Sequence, residues 1–417
     1  MDFDPSTEDS PRATVPGYSG AMQDDALTFR PLWLLDPAIT FLNHGSFGAC
    51  PRAVLARQSE LRTQLESEPV AFMVRTLDGA LSEARKALTL FLGGDPERLA
   101  FVPNATTGVN TITRALAPHL SPGDELLTTS HEYNACRNAL EFVAELTGAR
   151  VVVAEVPFPI SGDDEIVERV LAACTPRTRF ALIDHVTSPT ALVLPVERIA
   201  IALTERGVDV MIDGAHAPGM IDLDLKALEE AGVRYYTGNL HKWTCAPKGA
   251  AFLHVAEDRL SRVRPLNISH GANAPLGTKS RFRHEFDWTG TADPTPYLCV
   301  PEAISHMGGL LPGGWGELRR RNHDKVCEAR RVLSSRLGLD GEPCPEALLG
   351  SMATLSLPDG PAMPLMDALF HDHHIEVPVL HWPGPNRRFF RVSAQLYNAP
   401  TDYERLGHAL SLLLNLP

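Results

Sequence analysis

Three stretches of the sequence carry residues whose types and order suggest chemistry. In GNLHKWTCAPKG (238–249), Lys242 ends a strand-like run amid Trp243, Cys245 and Ala246. A lysine partly removed from water loses basicity and supplies the neutral amine that attacks an aldehyde; the alternative is a solvated strand-end lysine. Upstream, VDVMIDGAHAPG (208–219) closes a β-branched apolar strand on Asp213. Open α/β sheets place ligands beyond the carboxyl ends of their strands, and an acid there can pair with a cationic ring nitrogen; the alternative is a turn or capping aspartate. In FVPNATTGVNTITRALA (101–117), Thr106, Thr107 and Gly108 open a helix after a strand. Backbone N–H groups, hydroxyls and the helix dipole there suit a phosphate, although Thr-Thr-Gly is also an ordinary helix start. Taken together, a phosphate cradle, a strand-end acid and a later lysine are the parts that hold pyridoxal phosphate.

The elements that must position these residues follow a regular pattern. Between about 99 and 254, β-rich runs alternate with helical patterns: LAFVP (99–103), ELLTT (125–129), RVVVAEV (150–156), RFALIDHV (179–186), VDVMID (208–213), RYYTGN (234–239) and AAFLHV (250–255). Such alternation predicts an α/β fold with a mostly parallel sheet covered on both faces. One intervening helix is legible in detail, because Val196, Ile199, Ala200 and Leu203 recur at helical spacing after Pro195 and before Gly207. Beyond about 300 the pattern changes to a long charged helix near 316–337, strand-like runs around 351–357 and 389–394, and a last helix with Thr401 as its expected N-cap and Glu404 three residues on. That helix is expected to bury Tyr403, Leu406, Leu410 and Leu413. The reading divides the chain into an N-terminal arm (1–35), a large domain (36–300) and a smaller α+β domain (301–417); residues 1 to about 30, rich in Asp, Ser, Pro and Gly, read as a flexible arm.

The chain has 417 residues, 44% of them apolar and 21% charged, enough material for a large core. With 38 basic and 51 acidic side chains the net charge is −13, which argues against nucleic-acid and anionic-membrane partners and for a small molecule. No apolar run reaches membrane-spanning length, and Asp2, Asp4, Glu8 and Asp9 are the reverse of a basic signal-peptide start. Seven scattered cysteines without a C-x-x-C pair fit reduced thiols and a cytoplasmic setting.

Several segments resemble one family in combination: FLNHGSFGACP (41–51), NATTGVN (104–110), SHEYNACR (130–137), DHVTSPTALVLP (184–195), DGAHAPG (213–219), HKW (241–243) and FFRVSAQLYN (389–398). They look like the class V aminotransferase-type pyridoxal-phosphate enzymes, nearest to the isopenicillin N epimerase-like branch, and the resemblance runs from about 36 to the C-terminus. It implies the fold-type-I pyridoxal-phosphate transferase fold and a homodimer. It also implies that Lys242 links to the cofactor aldehyde, that Asp213 keeps the ring nitrogen protonated, and that His216 and Ser188 lie along the ring's hydroxyl edge. Tyr133 would stack on the ring face, where many relatives carry His, and joins Lys242 and Asp213 as a catalytic candidate. The phosphate would be held by Thr106, Thr107, Asn239 (where Ser is commoner) and His241, and by Thr291 from a partner subunit. Arg391 would fork the substrate carboxylate, and His270 in NISHGAN (267–273) would border the substrate.

The implied activity is epimerisation of an amino acid with Lys242 as base at Cα. The alternatives are β-elimination by a C–S lyase, transamination, or a cofactor-binding protein without turnover, which the pairing of Lys242 with Arg391 argues against. Other clusters have plainer readings. His371, His373 and His374 beside Asp372 invite a metal but fall where a helix ends, a position its dipole favours for histidine. Arg75 reads as structural. Cys344, in EPCPEA, lacks the surroundings of a persulfide-forming cysteine.

Overall fold

The seven apolar runs between 99 and 255 pair into one sheet in the computed structural model, which describes residues 20–339, 341–385 and 387–416. In chain order the strands are β1 (Leu99–Val102), β2 (Glu125–Thr129), β3 (Arg150–Ala154), β4 (Thr178–Asp184), β5 (Asp209–Asp213), β6 (Val233–Asn239) and β7 (Ala251–Val255). Their spatial order is β1-β7-β6-β5-β4-β2-β3, and every pairing is parallel except the two that β7 makes. Parallel strands need crossover connections, and helices at Ala105–Leu116, Asn134–Thr147, Asp163–Ala173, Val196–Thr204 and Leu225–Glu230 supply them. The fourth of these buries Val196, Ile199, Ala200 and Leu203, the face its spacing predicts. Apolar side chains from the two faces of the sheet feed two separate core clusters, which is why the strands read as nearly continuous hydrophobic runs.

This topology decides where polar strand ends collect. β4, β5 and β6 lie side by side and finish on Asp184, Asp213 and Asn239 at the same edge of the sheet. The helix Ala105–Leu116 starts at that edge and lies close against β6. Gly108 permits this approach, since a Cβ there would sit 2.2 Å from Thr237 Oγ1.

The C-terminal part is a separate layer. A 24-residue helix, Gly314–Leu337, packs with an antiparallel sheet in which Arg388–Ser393 lies between Val379–His381 and Met352–Leu357. A two-residue parallel pairing of Thr40–Phe41 with Ile375–Glu376 ties an early segment to this layer. The final helix, Pro400–Leu414, begins two residues before the start expected from Thr401 and Glu404. Ala399 precedes it, Pro400 supplies a fixed φ where no N–H is needed, and Asp402 Oδ2 accepts the Ala399 N–H at 3.0 Å, the task expected of Glu404. Tyr403, Leu406 and Leu410 are buried and Leu413 partly so.

The arm differs from its expectation too. Residues Gly20–Phe29 form a helix held by tertiary contacts, with Ala26 and Phe29 buried and Asp25 paired with Arg321 on the long helix. The remainder of the expected arm, 1–19, lies outside the described residues. Among the described residues no helix is long and apolar enough to cross a membrane.

The close approach at Gly108 yields a first prediction. Gly108→Val should destabilise the fold by about 1–3 kcal/mol, because Thr237 is fully buried and its hydroxyl is committed to the Phe252 carbonyl. Urea unfolding checks this, and an unchanged midpoint would contradict it.

Candidate active site

Lys242 follows β6 in the connection to β7. That connection is bent tightly: Leu240 N–H bonds the Ala250 carbonyl at 3.0 Å, Ala246 N–H bonds the Leu240 carbonyl at 3.0 Å, and Cys245 takes a positive φ of 61°. Trp243 turns into the core, so Lys242 points the other way, into a cavity of about 400 Å³ at the strand ends. Its Nζ lies 3.0 Å from His216 Nε2. Among the described residues it has no carboxylate within ion-pair distance. Burial, with the Arg391 charge adding to it, pulls the Lys242 pKa down to about 7. Burial, and then the lysine charge, holds His216 well below its ordinary value, so the imidazole is neutral and Nε2 accepts from the amine. Its Nδ1 is buried without a hydrogen-bond partner among the described residues.

Beneath the lysine the floor is acidic. Asp213 Oδ2 accepts the Cys136 thiol at 3.1 Å and Oδ1 accepts the Ala215 N–H at 2.9 Å. Asp184 faces Asp213 in the strand register, and Glu132 Oε2 accepts from Thr128 Oγ1 at 3.0 Å. Burial raises all three carboxyls. Asp213 is opposed in this by the Cys136 and Ala215 bonds and by Lys242, whereas Glu132 and Asp184 are pushed further by their acidic neighbours. The floor therefore keeps Asp213 as its most readily ionised acid, with Glu132 Oε1 and Asp184 Oδ2 unpartnered among the described residues. Glu132, Cys136 and Asp213 also form the one group there with metal-compatible spacing; the histidines near 371 do not form one.

The third wall is the start of the helix Ala105–Leu116. Asn104 caps it, its Oδ1 accepting both the N–H and the hydroxyl of Thr107 at 2.8 and 3.1 Å. Asn239 Oδ1 accepts the Ala105 N–H at 2.9 Å, which pins β6 to the helix start. His241 lines the same wall. Its Nδ1 donates to the Ala250 carbonyl at 3.1 Å, and burial followed by the lysine charge lowers its pKa to about 4. A phosphate beside it would favour the protonated ring and turn Nε2 into a donor.

Arg391 completes the set from the C-terminal sheet. Its Nη1 donates to the Ser188 carbonyl and hydroxyl at 2.5 and 3.2 Å, and Nη2 donates to Ser46 Oγ at 3.2 Å. Nε is buried with no partner among the described residues, and burial lowers the guanidinium pKa to about 10, leaving it charged.

Of the residues singled out in the sequence, Thr106, Tyr133, Ser188, Asp213, His216, Asn239, His241 and Lys242 line this cavity, and Arg391 reaches it through Ser188 and Ser46. Tyr133 remains half exposed. Thr107 faces a neighbouring cavity of about 430 Å³ that also contains Thr291, so Thr291 is apart from Lys242 within one chain. His270 lines a third cleft of about 230 Å³ and is not brought to the lysine within the chain. Asp184, Glu132, Cys136 and Ser46 carry no assignment in the sequence reading although they lie in or beside the motifs quoted there. A strand-end acid next to another on the neighbouring strand was the available signal, but it needs the strand order to be seen.

This donor set fits pyridoxal phosphate. A neutral amine for the aldehyde, an acid held ready for a cationic ring nitrogen, and a capped helix start with threonine and histidine for a phosphate share one cavity.

Residues 47–289 match the family model described as aminotransferase class-V. The isopenicillin N epimerase of Amycolatopsis lactamdurans is 40% identical over 392 residues, covering 91% of this chain and 96% of that protein. A putative L-cysteine desulfhydrase of Oryza sativa subsp. japonica is 31% identical, covering 91% of this chain and 84% of that protein. Among solved structures, the Escherichia coli cysteine desulfurase CsdA superposes with a TM-score of 0.78 at 19% identity, over 94% of this chain and 99% of that one. A complex of the cystine C-S lyase C-DES with cysteine persulfide gives 0.74 at 21% identity, over 91% and 98%.

The lowered basicity of Lys242 is directly measurable. When pyridoxal phosphate is added to apo-protein and trapped with borohydride, the initial rate of capture should rise with pH to a midpoint near 7, because the free amine forms there. A midpoint near the ordinary lysine value of about 10.4 would contradict the buried setting.

Proposed function

The chain belongs to the class-V aminotransferase family and is a pyridoxal-phosphate-dependent enzyme, and from that premise we propose that it epimerises an amino acid at Cα. The observation that carries the reading is a lysine of lowered basicity and an acid suited to the ring nitrogen facing one cavity, with Arg391 set behind its Ser188 and Ser46 wall. Greater identity to two isopenicillin N epimerases, 40% and 36%, than to the desulfhydrases at 31% and below supports epimerisation over elimination.

Each side chain has a task on this reading. Lys242 would hold the cofactor aldehyde and would serve as the base for the α-proton; an amine of pKa near 7 is well matched to that work at neutral pH. His216, neutral, orients the lysine through the 3.0 Å contact. Arg391 receives the substrate carboxylate on its planar fork and so fixes which Cα bond faces Lys242. Thr106, Asn239 and His241 would hold the phosphate end from this cavity, with Thr107 at the same helix start facing the neighbouring one, and Ser188 would lie at the ring edge. Tyr133, at the cavity mouth, would pack against the ring, and its phenol is the candidate to protonate Cα from the side away from Lys242. Pyridoxal phosphate, when bound, supplies a cationic conjugated ring that takes up the electron pair left at Cα, and Asp213 keeps that ring protonated.

The second reading is β-elimination from a cysteine-type substrate, favoured by the desulfhydrase relatives. It needs one base and no second proton donor. A persulfide-forming reaction has less support. No cysteine lines the cavity among the described residues, and burial pushes the Cys344 thiol up to about 11 beside Arg330. We further assign the active form to a two-fold dimer in which Thr291 and His270 serve the neighbouring subunit's site, and the setting to the cytoplasm, where seven unpaired cysteines stay reduced.

Two measurements test this. Incubated in heavy water with a panel of L-amino acids and cysteine conjugates, the enzyme should give inverted, Cα-deuterated amino acid without pyruvate. Pyruvate without inversion would replace epimerisation by elimination. Lys242→Ala should lose the borohydride-fixed cofactor and slow α-proton exchange by at least ~10²-fold, while Asp213→Asn should retain the fixed cofactor and lose exchange. Normal exchange in Asp213→Asn would remove that residue from the ring-nitrogen role.

A further inference from the structure

Six consecutive residues, Asn43 to Gly48, touch both the lysine and the arginine of the cavity. His44 is fully buried; its Nε2 lies 3.0 Å from the Lys242 main-chain carbonyl and its Nδ1 2.8 Å from the Tyr397 hydroxyl. A carbonyl only accepts, so Nε2 carries the proton and Nδ1 accepts from Tyr397. Burial keeps the imidazole neutral, which preserves this tautomer. Two residues on, Ser46 Oγ accepts from Arg391 Nη2 at 3.2 Å and donates to Asn43 Oδ1 at 2.5 Å, while Asn43 Nδ2 donates to Glu376 Oε1 at 2.8 Å. The turn is clamped between these contacts. Gly45 N–H bonds Ser393 Oγ at 3.0 Å, and at Gly48, with φ of 69°, a Cβ would lie 2.1 Å from the His241 carbonyl.

We propose that the Asn43–Gly48 turn is a positioning element in which His44 orients the peptide that carries Lys242 and Ser46 orients the guanidinium of Arg391. The inference rests on the reading that Arg391 receives the substrate carboxylate. Lys242 belongs to the large sheet and Arg391 to the C-terminal sheet, so the spacing between amine and carboxylate receptor is otherwise set across a domain junction. A single short turn bonded to both removes that freedom. Of the five N–H donors of Arg391, Nη1 gives two to Ser188 and Nη2 gives one to Ser46, which leaves Nε–H and the second Nη2 proton as the free edge of the fork among the described residues. A displacement of the order of 1 Å at either group is enough to cost about 10²-fold in rate in a positioned site.

The test separates the two bonds. Propionate carries a carboxylate and no amine, so its dissociation constant for the holoenzyme, read from NMR line broadening, reports on Arg391 alone. The rate at which pyridoxal phosphate becomes borohydride-fixed to the Lys242 peptide of apo-protein reports on the lysine. Ser46→Ala should weaken propionate about tenfold, the loss of a hydrogen bond to a charged group, and leave capture unchanged. His44→Leu should slow capture by a similar factor and leave propionate binding unchanged, and His44→Gln, whose side-chain N–H can reach the Lys242 carbonyl, should restore capture. Thermal unfolding of each variant accompanies both readouts. Failure of His44→Gln to rescue, equal losses in both readouts for each variant, or no loss in either would overturn the proposal. Arg391→Ala tests the underlying reading apart from it. If propionate binds that variant as well as wild type, the carboxylate assignment fails; if binding needs Arg391 but not Ser46, only the positioning role fails.

Discussion

The site depends on lowering the basicity of one amine that stands beside a cluster of buried acids. Burial acts in opposite directions on the two charge types, lowering Lys242 toward 7 and raising Asp213, Asp184 and Glu132. One lysine cannot balance three carboxylates, so the floor resolves by holding protons on Glu132 and Asp184, which their acidic neighbours push up further. Asp213 differs from the other two in receiving both a thiol and a backbone N–H. It is thereby the carboxyl best prepared for a cation introduced from the cavity, and the protein alone leaves that demand partly unmet.

The sheet makes this arrangement possible. Parallel order brings the ends of β4, β5 and β6 to one edge, and the same order places Asp184 beside Asp213. Adjacent carboxyls of one sign oppose folding when both are ionised, so the register that builds the floor also requires its protonation. Gly108 lets the phosphate-side helix approach β6 closely enough for Asn239 to bond its first N–H. The C-terminal layer contributes Arg391, which brings a second positive charge to the cavity and adds to the lowering of Lys242. On the proposed reading, in which Arg391 receives the substrate carboxylate, a carboxylate that neutralises Arg391 would raise the lysine's affinity for a proton as it arrives.

Both chemistries suggested by the relatives begin with the same proton removal, and the residues described serve that step alike. What differs is the fate of the charge at Cα, which turns on the substrate's β-substituent and on a proton source away from Lys242. Tyr133 stands at the open side of the cavity.

The seven strands, the helix face of Val196, Ile199, Ala200 and Leu203, and the grouping of Lys242, Asp213 and Thr106 were legible in the sequence, because burial on a sheet or helix imposes periods of a few residues and strand ends are local. The final helix was legible as an element but not in its start, since Pro400 and Asp402 set it two residues ahead of Thr401 and Glu404. The helix at Gly20–Phe29 was missed because distant contacts, such as that of Asp25 with Arg321, hold it. The partners of His44, Ser46 and Cys136 lie 198, 345 and 77 residues away in the chain. Sequence alone determined which chemical groups this protein owns and which strands and helices bear them. Only the tertiary structure decided which groups share a cavity and which acids keep their protons, because desolvation and Coulomb forces depend on distance in space, and a chain's order does not encode that distance locally.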